Sequence, residues 1–188
     1  MSNLTLKIQF FSPWHCGSGL SAGADTDALV IKNPQGLPFV PGKTIKGLVR
    51  EAVEDYAALK GEEIKLDEAF GVEASQEESC SIQKGYLYFT NGELSPEETQ
   101  TIIANHMEDF LYINKVETAI GENGITKDHS LRTIETTVPC TLYAQIMHVD
   151  EALAQVLEPA LGLIKHMGME RNRGLGRCQF TIEKGGKK

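Results

Sequence analysis

An α+β domain with core order β-α-β-β-α-β is what this sequence predicts, and three observations predict it. Short stretches of alternating apolar residues, LTLKIQFF near the start and GRCQFTIE near the end, read as strands. Two stretches carry the 3.6-residue apolar spacing of helices, one from Thr44 and one after Asp150. Two further strand-like stretches, GYLYFTNG and TIETTVPCTLYAQIMHV, fall between those helices. That order is the ferredoxin-like split βαβ arrangement, the framework that RNA-recognition (RRM) domains also use.

Taken in order, residues 3–11 form the first strand. Residues 12–42 follow as a long loop punctuated by Gly and Pro, with a short strand at ALVIK. A loop of that length in a compact domain is usually functional or disordered. Ile45, Leu48, Val49, Ala52, Val53 and Tyr56 then share one face of a helix over Thr44 to Leu59. GYLYFTNG is a strand ending in a turn. SPEETQTIIANHMEDF opens a second helix, with Ser95 as N-cap, Pro96 at the first helical position and Glu98 completing a capping box. Residues 111–131 mix extended segments with a polar tip, GENGITKDH, before TIETTVPCTLYAQIMHV resumes as one strand. Asp150 caps an apolar helix to about His166, kinked at Pro159, and GRCQFTIE is the last strand. The expectation is one domain over 1–188 with two insertions, a loop at about 12–42 and an excursion at about 112–131.

The composition, 41% hydrophobic and 23% charged over 188 residues, is that of a soluble globular chain. The most apolar run, near LGLI, is far too short to span a bilayer, and the N-terminus lacks the pattern of a signal peptide. A cytoplasmic protein without a membrane partner is expected. Cys16, Cys80, Cys140 and Cys178 are scattered, with no C-x-x-C pair, and read as isolated thiols. The net charge is -8, but it is segregated. Residues 51–109 hold fifteen Asp and Glu against three lysines, whereas residues 31–50 hold Lys32, Lys43, Lys46 and Arg50 with no acid. Residues 165–188 hold seven Lys and Arg against two glutamates. Such segregation can give an acidic protein one basic face.

The stretch GLPFVPGKTIKGLVRE resembles a nucleotide-binding loop and fails the test for one. Counting back from Gly42, the first glycine of G-x-x-x-x-G-K-[ST] belongs at residue 37, which is Leu. Pro38 and Pro41 also remove amide donors that a phosphate nest needs. What remains is Gly42, Lys43 and Thr44 at a helix N-terminus, with Lys46 and Arg50 one turn apart on one face. A second basic stretch, HMGMERNRGLGRCQF, interleaves Arg171, Arg173 and Arg177 with Gly168, Gly174 and Gly176. Guanidinium forks suit phosphate, and glycines allow close backbone approach. The fold can bring both stretches together as one groove for a phosphate backbone.

SPWHCGSG, DALVIKNPQGLPFVPGKTIKGLVR, SLRTIETTVP and GMERNRGLGRC resemble, in this order, the motifs of the RAMP superfamily. The match is nearest to the repeating Csm- and Cmr-type backbone subunits of type III CRISPR effector complexes, over about residues 8–182. The resemblance implies a modified RRM-like fold that assembles along a guide RNA, with copies of itself and other effector subunits as partners and target RNA as ligand. It implies guide contacts from Gly42, Lys43, Thr44, Lys46, Arg50, Arg132, Arg171, Arg173, Gly174, Gly176 and Arg177, and a thumb hairpin at 112–131. It further implies metal-dependent cleavage of target RNA, by Mg²⁺ or another divalent cation, through a loop Asp. The family spacing gives Asp27, three residues before Val30, with Asp25 as runner-up.

The residues themselves leave alternatives open. Asp25 and Asp27 also suit turns in AGADTDA. His15 suits a structural role beside Trp14, RNA stacking, or general acid–base work in a metal-independent guide-processing ribonuclease. A guide-binding scaffold that does not cut, and a protein-binding module with no RNA role, also fit. No aromatic pair at the spacing of RNA-recognition strands supports general base stacking.

Overall fold

A computed structural model describes residues 1–22, 26–61, 66–72, 84–118, 123–126 and 130–183. Its main sheet has four antiparallel strands in the order β2-β5-β1-β6, where β1 is Ser2–Phe10, β2 Tyr88–Phe89, β5 Thr141–Val149 and β6 Cys178–Glu183. Helix α1 (Gly42–Lys60) joins β1 to β2, and α4 (Glu151–Leu161) joins β5 to β6. With insertions set aside, the strand order is 2-3-1-4 with two helices, which is the ferredoxin-like arrangement the sequence predicts.

Alternation builds the layers. Leu6, Ile8 and Phe10 of β1 are buried with Leu142, Ala144 and Ile146 of β5 and Cys178 and Phe180 of β6, against Ile45, Val49 and Val53 of α1 and Leu153, Leu157 and Leu161 of α4. Each Leu, Ile, Val or Phe among them contributes about 1.5–3 kcal/mol relative to an exposed one. The intervening residues of the strands, among them Lys7, Gln9, Tyr143 and Gln145, leave the other face of the sheet more polar. Both caps read from the sequence form. Ser95 and Glu98 make the capping box of α3 (Pro96–Ala104), and the Leu153 amide donates to Asp150 Oδ1 at 2.7 Å.

Four boundaries differ from the sequence reading. The strand at GYLYFTNG shrinks to Tyr88–Phe89, because the amides of Tyr86 and Leu87 donate to Glu68 and Ala69 of the short helix α2 (Leu66–Phe70). Helix α3 stops at Ala104 instead of reaching Phe110, where His106 takes φ 52° and a 3₁₀ turn follows at Glu108–Leu111. Helix α4 ends at Leu161, two residues after Pro159 removes an amide donor, well short of His166. The long strand expected over 133–149 is two. Strand β4 (Arg132–Thr137) and β5 change partners at Val138–Pro139–Cys140, where Val138 donates to Leu111 and Cys140 accepts from Phe10.

Strand β4 pairs with β3 (Tyr112–Glu117) in register from Tyr112↔Thr137 to Glu117↔Arg132, so the excursion is a hairpin. Part of its tip, 119–122 and 127–129, lies outside the described residues. The long loop is stitched down at intervals. Trp14 exchanges backbone hydrogen bonds with Thr137, Ala28 bridges Ile134, Gly17 bridges Val30 and Val40 bridges Gly92. Trp14 is 1% exposed and stacks on Phe10 at 4.4 Å, so it is a core residue and not a platform for RNA. Cys16 and Cys140 are half-buried free thiols and Cys178 a buried one, while Cys80 lies outside the described residues. No described helix is long and apolar enough to cross a membrane.

Candidate nucleic-acid interface

The start of α1 is more closed than its sequence suggests. The Gly42 amide donates to Asn91 Oδ1 at 3.0 Å, and those of Thr44 and Ile45 donate to Pro41 O. Gly42 is required for packing: a Cβ there would lie 2.3 Å from Phe89 O. What this helix start can offer an anion is thus reduced to the Lys43 amide and the side chains of exposed Lys43 and half-exposed Lys46. Gly47, further along the first turns, is exposed, and an added methyl group would meet nothing within 4 Å. Gly47→Ala is therefore expected to raise stability by about 0.5–1 kcal/mol and Gly42→Ala to lower it by about 1–3 kcal/mol, read as opposite shifts of a urea midpoint.

Arg50 is engaged within the fold. Its guanidinium donates to Glu54 Oε1 (2.8 Å), Gly71 O (2.7 Å) and Asp67 Oδ1 (3.1 Å), tying α1 to α2 and the residue beyond it. Lys43, Lys46 and Arg50 line a cleft of about 430 Å³ whose far wall carries Lys84 and Tyr88. No carboxylate is among the described residues that line it. Desolvation, with the neighbouring Arg50 charge as the lesser cause, makes the Lys46 ammonium easier to deprotonate than a free lysine. The alternating pattern of GYLYF contained the signal for Tyr88, whereas Lys84 reaches the cleft only through the fold.

The arginine loop lies on the opposite flank of α1. Arg171, Lys165 and His166 face Leu48, Glu51, Ala52 and Asp55 across a separate cleft of about 290 Å³. The single groove expected from the two basic stretches is thus two clefts, because Lys46 and Arg50 project about 120–180° around the helix from Ala52 and Asp55 at about 100° per residue. The loop's glycines serve mainly the chain itself. A Cβ on Gly168 would lie 2.3 Å from His15 O, and one on Gly176 would lie 1.8 Å from Met167 O. The Gly176 amide donates to Pro13 O and the Met169 amide to His15 O, so the loop is zipped onto the segment after β1. Gly174 alone of these three has open space around it, at φ 85°.

Arg173 is exposed but paired. It donates to Glu117 Oε2 at 2.9 Å and Glu170 Oε1 at 3.3 Å, while Lys115 meets Glu117 at 2.7 Å. Lys115 first, then Glu170 and Arg173, hold the Glu117 carboxyl well below the usual range; burial and Glu117 push that of Glu170 up. These four groups tie the hairpin to the arginine loop. Arg132 and Arg177 are exposed, Arg132 opposite Glu117 in the hairpin register.

At the tip-side end of the hairpin's ladder, where Thr133 pairs with Val116, Asp27 makes a two-point clamp on β4. Its amide donates to Thr133 O, and its Oδ2 accepts the Thr133 amide, both at 2.8 Å. The residue is exposed, and its partner lies 106 positions away, so the side chain is not closing a local turn. Asp25 lies outside the described residues. Next to this clamp, Glu135 accepts Val30 N (3.1 Å) and Lys32 Nζ (2.8 Å), and that ammonium sits 3.7 Å above the Tyr112 ring. His15 is 1% exposed; its Nδ1 meets Glu135 O at 2.6 Å, and a carbonyl only accepts, so Nδ1 carries the proton. Burial withdraws His15 from contact with RNA and leaves it a structural role. Among the described residues no group of three or more His, Cys, Asp or Glu is arranged to hold a metal ion.

Comparisons with known proteins agree on one fold. A chain in a cryo-EM structure of the Type III-B Cmr-beta bound to cognate target RNA matches with a TM-score of 0.71, at 9% identity over 97% of both chains. A chain of the Type III-B Cmr-beta apo state matches with a TM-score of 0.68, again at 9% identity and 97% of each. At such identity the likeness is one of fold. No curated protein matches the sequence. The model of the RAMP superfamily matches residues 7–179, nearly the whole length, and the chain belongs to that superfamily.

Proposed function

We propose that this chain is a guide-RNA-binding backbone subunit of a type III CRISPR ribonucleoprotein, and that it cuts bound target RNA in a metal-dependent way through Asp27. Membership of the RAMP superfamily and a fold like that of Cmr-beta chains, one of them in a structure with target RNA, support the subunit assignment. Guide RNA, target RNA, other effector subunits and further copies of this chain are the partners the reading requires. The basic cleft beside α1 supplies charge for a backbone of phosphates.

The observation that carries the cleavage reading is the clamp of Asp27 on Thr133, which fixes an exposed carboxylate beside the tip-side end of the hairpin's ladder. Magnesium characteristically takes one or two carboxylates and completes its shell with water and phosphate oxygens, so a single Asp fits a cation shared with RNA. A bound divalent cation supplies neutralisation of the charge that develops on the scissile phosphate. Asp27 would hold it there with its orientation already set by the Thr133 amide.

One observation favours a subunit that binds guide without cutting: Oδ2 is already bonded to the Thr133 amide. Asp27→Asn separates the readings, since an amide oxygen still accepts that bond while the charge is gone. With guide, target RNA and Mg²⁺, cleavage is expected to fall about 100-fold or more while guide binding and Tm hold. Cutting at the wild-type rate would remove Asp27 from the chemistry. A metal-independent ribonuclease using His15 conflicts with burial of its ring, and persistence of cutting in EDTA is its signature.

A further inference from the structure

Tyr88 is a large aromatic residue that the core does not use. It lies on β2, an edge strand of two residues, and is 58% exposed. It also stands on the shared rim of two clefts. The first is the basic one, with Lys43, Lys46 and Lys84. The second, about 420 Å³, runs past Asn91 to Tyr143 and Gln145 on the uncovered face of the sheet. Amide and hydroxyl groups dominate it, with Glu93 as its carboxylate.

We infer that Tyr88 and Lys84 form a nucleotide subsite, in which one base of a single RNA strand stacks on the Tyr88 ring while adjoining phosphates lie against Lys84, Lys43 and Lys46. The inference rests on the RNA-binding reading above and adds a base contact to a surface that otherwise meets only the backbone. Three features converge on it. The three lysines have no described carboxylate in an ion pair, whereas the acids nearest Arg50 are already bonded to it. Lys46 is partly desolvated, with the Arg50 charge as a lesser influence, and a bound anion favours its charged form. An exposed ring beside cations that no described carboxylate pairs matches what a nucleotide offers, a flat π surface next to a negative charge. Stacking of this kind tolerates any base, which suits a surface that must accept different sequences.

The test uses the full chain and a fluorescein-labelled ten-nucleotide oligouridylate. Tyr88→Phe is expected to bind as wild type, while Tyr88→Ala and Tyr88→Leu lose about 10-fold in affinity with an unchanged salt slope. Lys84→Ala is expected to flatten the slope of log K against log salt by about 0.7, the mark of one lost phosphate contact. Tyr88→Trp gives a direct readout, because Trp14 is buried and the new indole is expected to quench as RNA is added. Wild-type affinity in both Tyr88→Ala and Tyr88→Leu, with binding still lost in Lys43→Glu/Lys46→Glu, would overturn the subsite and leave the RNA surface standing. Absence of RNA binding by the wild type at low salt would bring down both. Uridine monophosphate is expected not to compete; displacement of the oligomer at comparable concentration would reassign the site to a free nucleotide.

Discussion

Lys43→Glu/Lys46→Glu is expected to lower affinity for single-stranded RNA about 100-fold or more at about 0.1 M salt, with Tm close to wild type. Both side chains reach solvent from the start of α1, and neither is an anchor of the core. In a chain of net charge -8, binding of a polyanion depends on local charge, and these two cations share a cleft with no carboxylate among its described lining residues. Reversing them places two negative charges against phosphates, in place of two counterion-releasing contacts. The salt slope should flatten by about 1.4, at about 0.7 per contact for a single strand. Fluorescence anisotropy between about 50 and 200 mM salt reads both numbers. An unchanged slope would mean that the strand runs elsewhere, and the cleft bearing Arg171 and Lys165 on the other flank of α1 is then the site to reverse next.

Gly176→Ala should act through the fold instead. The residue sits at φ 66°, and a methyl group would come within 1.8 Å of Met167 O, a backbone atom that cannot swing aside. The Met167 amide also donates a hydrogen bond to Gly176 O at 2.9 Å, so the clash falls on a paired segment. The left-handed conformation adds about 1–2 kcal/mol and the overpacking about 1–3 kcal/mol, a loss of about 2–5 kcal/mol. For a chain of this size that lowers Tm by about 5–15 °C. Gly174→Ala is the control. Its φ of 85° carries the backbone strain, but nothing lies within 4 Å, so about 1–2 kcal/mol is expected. Equal losses at the two positions would show that strain alone, without the contact to Met167, governs the loop.

The contrast between these glycines shows where sequence reading stopped. RNRGLGR reads as a phosphate loop because Gly and Arg alternate, and nothing local distinguishes glycines that admit a ligand from glycines that admit the chain's own backbone. Gly168 and Gly176 turned out to press against His15 and Met167. Arg173 likewise reads as available, although its partner Glu170 is three residues away and Glu117 fifty-six. The short-range pair was visible and the long-range one was not. Strand ends failed for a related reason: the alternation of TIETTVPCTLYAQIMHV runs through Pro139, but the partners on either side belong to different sheets.

The sequence by itself determined the order of the core elements, the caps at Ser95 and Asp150, and the failure of the nucleotide loop. Each of these is written in periodicity, in residues three or four apart, or in the missing amide of a proline. Only the tertiary structure decided which charges remain open. It closed Arg50 and Arg173 with carboxylates, buried His15 and Trp14, and clamped Asp27 to a strand 106 residues away. It also brought Lys84 and Tyr88 to face Lys43 and Lys46. The reason is physical: hydrophobic spacing is a local property of the chain, whereas a side chain's electrostatic partners are set by whatever the packed core brings within a few ångströms.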